Sequence, residues 1–60
     1  MFTKHKVYYT VEMKQDDMSY LFVCSFSTFN EAKDRMNELK TSTNREYRIL
    51  KIEKDVEQIE

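Results

Sequence analysis

Residues 26–40, FSTFNEAKDRMNELK, contain the one plain amphipathic helix of the chain, and what that helix can cover decides the rest of the fold. Phe29, Ala32, Met36 and Leu39 recur at three- and four-residue steps, which puts them on one narrow stripe, and Glu31 and Arg35 sit one turn apart on its flank. Thr28 suits the N-cap, with Glu31 placed three residues on to close a capping box. The pattern predicts a helix from about residue 29 to 40. The polar run TSTN (41–44) ends it, with Asn44 able to take the left-handed conformation that a chain without glycine must find elsewhere.

On the N-terminal side, Val7, Tyr9, Val11 and Met13 alternate with Lys6, Tyr8, Thr10, Glu12 and Lys14, which predicts a first strand over 4–14 with one buried face. KQDDMS (14–19) supplies a turn, because the side chains of Asp16 and Asp17 can bond their own backbone. SYLFVCSF (19–26) reads as a second strand with Tyr20, Phe22, Cys24 and Phe26 on one side and Leu21 and Val23 on the other. Both sides are apolar, and strands of that kind are normally covered twice. Beyond the helix, REYRILKIEK (45–54) predicts a third strand, with Arg48, Leu50 and Ile52 opposite Tyr47, Ile49 and Lys51. The last residues, 55–60, read either as a frayed end or as a short helical turn, since Val56 and Ile59 follow Ile52 at four- and three-residue steps.

The order ββαβ within 60 residues implies a single α+β domain: a three-stranded, mainly antiparallel sheet in the order 2-1-3 with one helix on one face. A helix about 10 Å across covers one face of such a sheet. The other face, expected to carry Tyr8 and Thr10, Leu21 and Val23 or the Tyr20/Phe22 set, and Tyr47 and Ile49, is left bare. So large an apolar surface exceeds what monomers usually expose. The second strand, uncharged from Met18 to Thr28, is also the edge least protected against strand addition.

Composition narrows the function classes. The 10 basic and 11 acidic side chains leave a net charge of −1, so no overall attraction to DNA or to anionic membrane is built in. No run approaches the roughly 20 apolar residues of a membrane span, and no secretory leader is evident, so a cytoplasmic protein is expected. Cys24 is the lone cysteine and His5 the lone histidine, which excludes an internal disulfide and a zinc cluster. A Cys24/His5 dyad lacks an orienting third group, the Asp16–Asp17 pair is explained by its turn, and without glycine there is no phosphate loop. Neither catalysis nor a cofactor or metal is expected. The scarcity of residues with GC-rich codons suggests an AT-rich bacterial, phage or viral genome.

The first functional expectation is therefore a non-enzymatic interaction module that binds a partner protein or a second copy of itself. A small phage-type inhibitor or regulator of a host protein would fit the size. Tyr8, Tyr20, Leu21, Val23, Tyr47 and Ile49 would form its surface, tyrosine being favoured at interfaces because it buries area with little loss of entropy. The alternative is a small nucleic-acid-binding protein using Lys6, Tyr8, Arg45, Tyr47 and Arg48, since a sheet bearing aromatic rings can stack bases. Against it, acidic residues are interspersed with these cations along the sequence.

Overall fold

The computed structural model describes residues 2–59, and the side chains of residues 2 and 58 lie outside the description. The elements are β1 (Phe2–Lys14), β2 (Tyr20–Phe26), α1 (Phe29–Thr43) and β3 (Tyr47–Gln58). They build a three-stranded sheet in the order β2-β1-β3, with β1 antiparallel to both neighbours and α1 touching all three strands. This is the expected ββαβ arrangement, with β1 at the centre.

Local chemistry accounts for the turns. Asp17 accepts hydrogen bonds from the Ser19 backbone N–H and from its hydroxyl, which closes the β1–β2 connection. Ser19's hydroxyl, then its N–H, hold the Asp17 carboxyl below its usual range. This ring of bonds leaves Met18, not an aspartate, in the left-handed region at φ 72°, a conformation that costs a side chain with a Cβ about 1 kcal/mol. The helix begins where expected: Thr28 Oγ1 accepts from the Glu31 N–H and donates to the Glu31 carboxylate at 2.8 Å. It runs further than expected, to Thr43, with the hydroxyls of Thr41, Ser42 and Thr43 bonded back to carbonyls of the preceding turn. Asn44 closes it at φ 56°, donating its N–H to the Lys40 carbonyl.

Residues 55–58 form neither a helical turn nor a frayed end. They extend β3, pairing Asp55 with His5, Val56 with Lys4 and Glu57 with Thr3. β1 starts correspondingly early, at Phe2. Since β2 reaches β1 only from Tyr9 to Lys14, residues 2–8 and 52–58 stand out from the three-stranded part as a two-stranded arm. The chain accordingly measures 46 × 26 × 15 Å with a radius of gyration of 14.3 Å, against about 10 Å for a spherical domain of this length.

The core is small. Among the described residues, Val11 on β1 and Ala32 on α1 are the buried apolar side chains. Alanine at the middle of the helix stripe lets the helix backbone come close to the central strand. Around this contact lie the half-buried Met36 and Leu39 of the helix and Met13, Cys24, Phe26, Tyr47 and Ile49 of the sheet. The ring of Phe29 meets that of Tyr9 edge-on at 5.9 Å, and the Tyr47 hydroxyl lies 2.6 Å from Thr43 Oγ1 at the end of the helix.

Candidate functional site

The pairing of the strands decides which side chains share a face. Val11 lies opposite Cys24 and Ile49, Met13 opposite Leu21 and Tyr47, and Tyr9 opposite Phe26 and Lys51; these are the helix side. Thr10 lies opposite Ser25 and Leu50, Glu12 opposite Phe22 and Arg48, Tyr8 opposite Ile52, and Lys6 opposite Lys54. These form the helix-free side. A bulge at Val23, opposite the step from Val11 to Glu12, shifts the alternation of β2 and adds twist to its outer edge.

Four of the six residues expected to form the binding surface are therefore elsewhere. Tyr47 and Ile49 face the helix, because antiparallel pairing with Met13 and Val11 fixes their side, and the Tyr47 hydroxyl is held by Thr43. Leu21 shares the Met13 side yet remains 50% exposed beyond the helix, and Val23 occupies the bulge. Tyr8 and Tyr20 do lie on the helix-free side, joined by Phe22, Leu50 and Ile52. Of the residues proposed for nucleic acid, Lys6, Tyr8 and Arg48 come together there. Arg45 sits instead at the end of the sheet, 3.8 Å from Asp16 in the β1–β2 turn.

At the centre of this face is a depression of about 570 Å³. Its floor is formed by Thr10, Ser25 and Leu50, its aromatic walls by Tyr8 and Phe22, and its two ends by Lys6 with Lys54 and by Glu12. Thr10 is only 7% exposed, and its Oγ1 finds no hydrogen-bond partner among the described residues. A buried hydroxyl left in that state costs about 1–3 kcal/mol.

The charged groups of the face fall into two sets. At one end Arg48 reaches across the central strand: Nε and one terminal nitrogen bond Glu12 Oε1 at 2.7 and 2.6 Å, and the guanidinium lies 3.7 Å from the centre of the Tyr20 ring on β2. Ion pair and cation–π contact together clamp all three strands. At the other end Lys6 and Lys54 stand directly opposite one another, with Lys4 two residues along β1 on the same side. None of the three has an ion-pair partner among the described residues. Lys54 Nζ lies 5.6 Å from the Tyr8 ring centre.

The opposite side of the arm reverses this pattern. There Glu53, Asp55 and Glu57 alternate with the lysines through the period of the strand, His5 meets Asp55 at 3.0 Å, and Lys51 meets Glu53 at 3.1 Å. Charges interspersed along the sequence are thus separated in space, cations to the helix-free side and carboxylates to the other. The signal is present in EKDVE (53–57), where charge rather than hydropathy carries the period of two.

His5 and Cys24 are not brought together. His5 is on the arm, whereas Cys24 lies opposite Val11, about 20 Å further along β1 at roughly 3.3 Å per residue. Among the described residues no group of three or more His, Cys, Asp and Glu side chains could hold a metal ion, and no helix is long and apolar enough to cross a membrane. Compared with protein-family models, with curated proteins and with solved structures, the chain finds no match.

Proposed function

We propose that this protein is a non-enzymatic binding module whose helix-free sheet face receives a partner macromolecule. The observation that carries the reading is the state of that face: Phe22 is 57% exposed beside an open depression that Tyr8, Leu50 and Ile52 also line. The chain's total accessible surface supports it, being 4769 Å² where a folded chain of this mass presents about 4,200 Å². The uncharged β2 edge, with Leu21 and Val23 exposed, borders the same surface and extends it. A small cytoplasmic regulator or inhibitor would be such a module.

A second copy is the less suitable occupant. A two-fold pair through this face would set Lys4, Lys6, Lys54 and Arg48 of one molecule against the same cationic surface of the other. An anionic partner meets no such penalty.

The test compares wild type with Phe22→Ser in affinity capture from lysate, with and without nuclease, alongside circular dichroism and sedimentation. Wild type is expected to retain a stoichiometric macromolecule that the variant, equally folded and equally stable, releases. Equal recovery by both proteins, or no recovery by wild type, would overturn the reading. Concentration-dependent dimerisation abolished by Phe22→Ser would make a second copy the occupant.

A further inference from the structure

The geometry points to single-stranded nucleic acid as the partner of the helix-free face, bound through its sugar–phosphate backbone and unstacked bases without sequence readout. This inference rests on the reading above and names the chemistry of the occupant.

The first support is the Lys6–Lys54 pair. Like charges directly opposite on one face destabilise a sheet, and here two lysines are cross-strand neighbours with no ion-pair partner for either among the described residues. On the far side, Asp55 and Glu53 do have partners, His5 and Lys51. A phosphate placed between Lys6 and Lys54 would remove the repulsion. Lys4, next on that side of β1, carries the cationic line about 7 Å beyond the depression, out of reach of a single nucleotide bound inside it. A polymer of phosphates fits that spacing.

The second support is what lies beside the lysines. Tyr8 and Phe22 flank the depression, and aromatic rings stack bases of any sequence. Phe22, 57% exposed, offers its surface freely and is the ring assigned to a base, whereas the Tyr20 ring is covered by Arg48 and Tyr8 already has Lys54 over its ring. Beside the rings the exposed Ser25 of β2, opposite the buried Thr10, adds a hydroxyl to the lining. The Ser25 hydroxyl can bond sugar and base-edge groups. Every base has a face to stack on an exposed ring, whereas the acidic side chains that would satisfy the lysines carry none.

The experiment measures fluorescence anisotropy of a labelled oligo(dT) of about 12 nucleotides, with poly-glutamate of similar length as competitor. Wild-type protein is expected to bind oligo(dT) in the micromolar range and to lose affinity steeply between about 50 and 200 mM salt. The double variant Lys6→Ala/Lys54→Ala should bind at least tenfold more weakly, with its salt slope reduced by about 0.7 for the one phosphate no longer neutralised. Phe22→Ala should weaken binding about five- to tenfold with the slope unchanged, as removal of a stacking ring requires. All these positions are exposed and their variants remain folded by circular dichroism; the lysine variant should melt no lower than wild type. Absence of oligo(dT) binding, or affinity unchanged in the lysine variant, would overturn the inference. Poly-glutamate competing at equal charge concentration would overturn it too, while leaving the helix-free face standing as a docking surface for an acidic protein.

Discussion

The two faces of the sheet are drawn from similar residues and handled in opposite ways. On the helix side, Val11 is fully buried against a helix whose Ala32 is also fully buried, and Asp55 and Glu53 have partners, His5 by a hydrogen bond and Lys51 by an ion pair. On the other side no described residue is fully buried, a hydroxyl lies covered and unbonded, and two lysines oppose each other. The first face holds the packed core of the chain and the second does not. The cross-strand lysines and the covered hydroxyl each cost stability, and the exposed aromatic surface beside them is what the proposed function uses.

Cutting into each face in turn should expose the contrast. Val11→Ala, at the point where strand and helix both exclude all water, should cost about 2–3 kcal/mol through reduced burial and a residual cavity. In a domain this small, whose core supplies only about 3–5 kcal/mol, that is most of the stability. Leu50→Ala on the helix-free side should cost under about 1 kcal/mol, because half-buried atoms lose less. Urea midpoints at constant m-value measure both, and equal losses would show that the two faces contribute alike. Next in size is Arg48→Ala, which leaves the Glu12 carboxylate, 19% exposed, without its cation and uncovers Tyr20. The expected cost is about 1–2 kcal/mol. Arg48→Lys should recover only part of it, since a lysine cannot both fork onto the carboxylate and lie flat on a ring.

How much of this is legible in the sequence follows from which signal each element carries. The strand order, the helix start at Thr28 and the left-handed Asn44 are readable because hydropathy of period two or 3.6 and cap chemistry are local properties. The last residues mislead because Val56 and Ile59 imitate helical spacing, while the alternation of Glu53, Lys54, Asp55, Val56 and Glu57 is a strand written in charge. The side taken by Tyr47 and Ile49 is illegible for a different reason. Both sets of β3 are apolar, so only register against Val11 and Met13 decides between them, and register is a long-range property. The Lys6–Lys54 opposition depends on the same register. That pairing, with Thr10, is the part of the candidate site no local pattern reveals.

The remaining substitutions improve the unsatisfied face and should therefore stabilise the protein. Thr10→Val keeps the shape and removes the unbonded hydroxyl, for an expected gain of about 1 kcal/mol. A thermal midpoint raised by about 4–8 °C would record it, given the small unfolding entropy of a domain of this size. A drop instead would mean that Thr10 Oγ1 is bonded in solution and that the floor of the depression is already satisfied.

The smallest effect discriminates most sharply between structural and functional accounts of the lysines. Lys6→Glu places a carboxylate opposite Lys54 and leaves the contact of Lys54 with Tyr8 intact. A repulsive cross-strand pair becomes attractive, for about 0.5 kcal/mol, and since the groups are exposed the gain should fade as salt is raised toward about 1 M. If the arm were only scaffold, such a variant would improve the protein without a cost. If the lysines hold phosphates, the same substitution should raise the melting temperature and abolish oligo(dT) binding together. A variant both more stable and still binding would separate the two properties and break the link drawn here between the arm's unfavourable charge and its use.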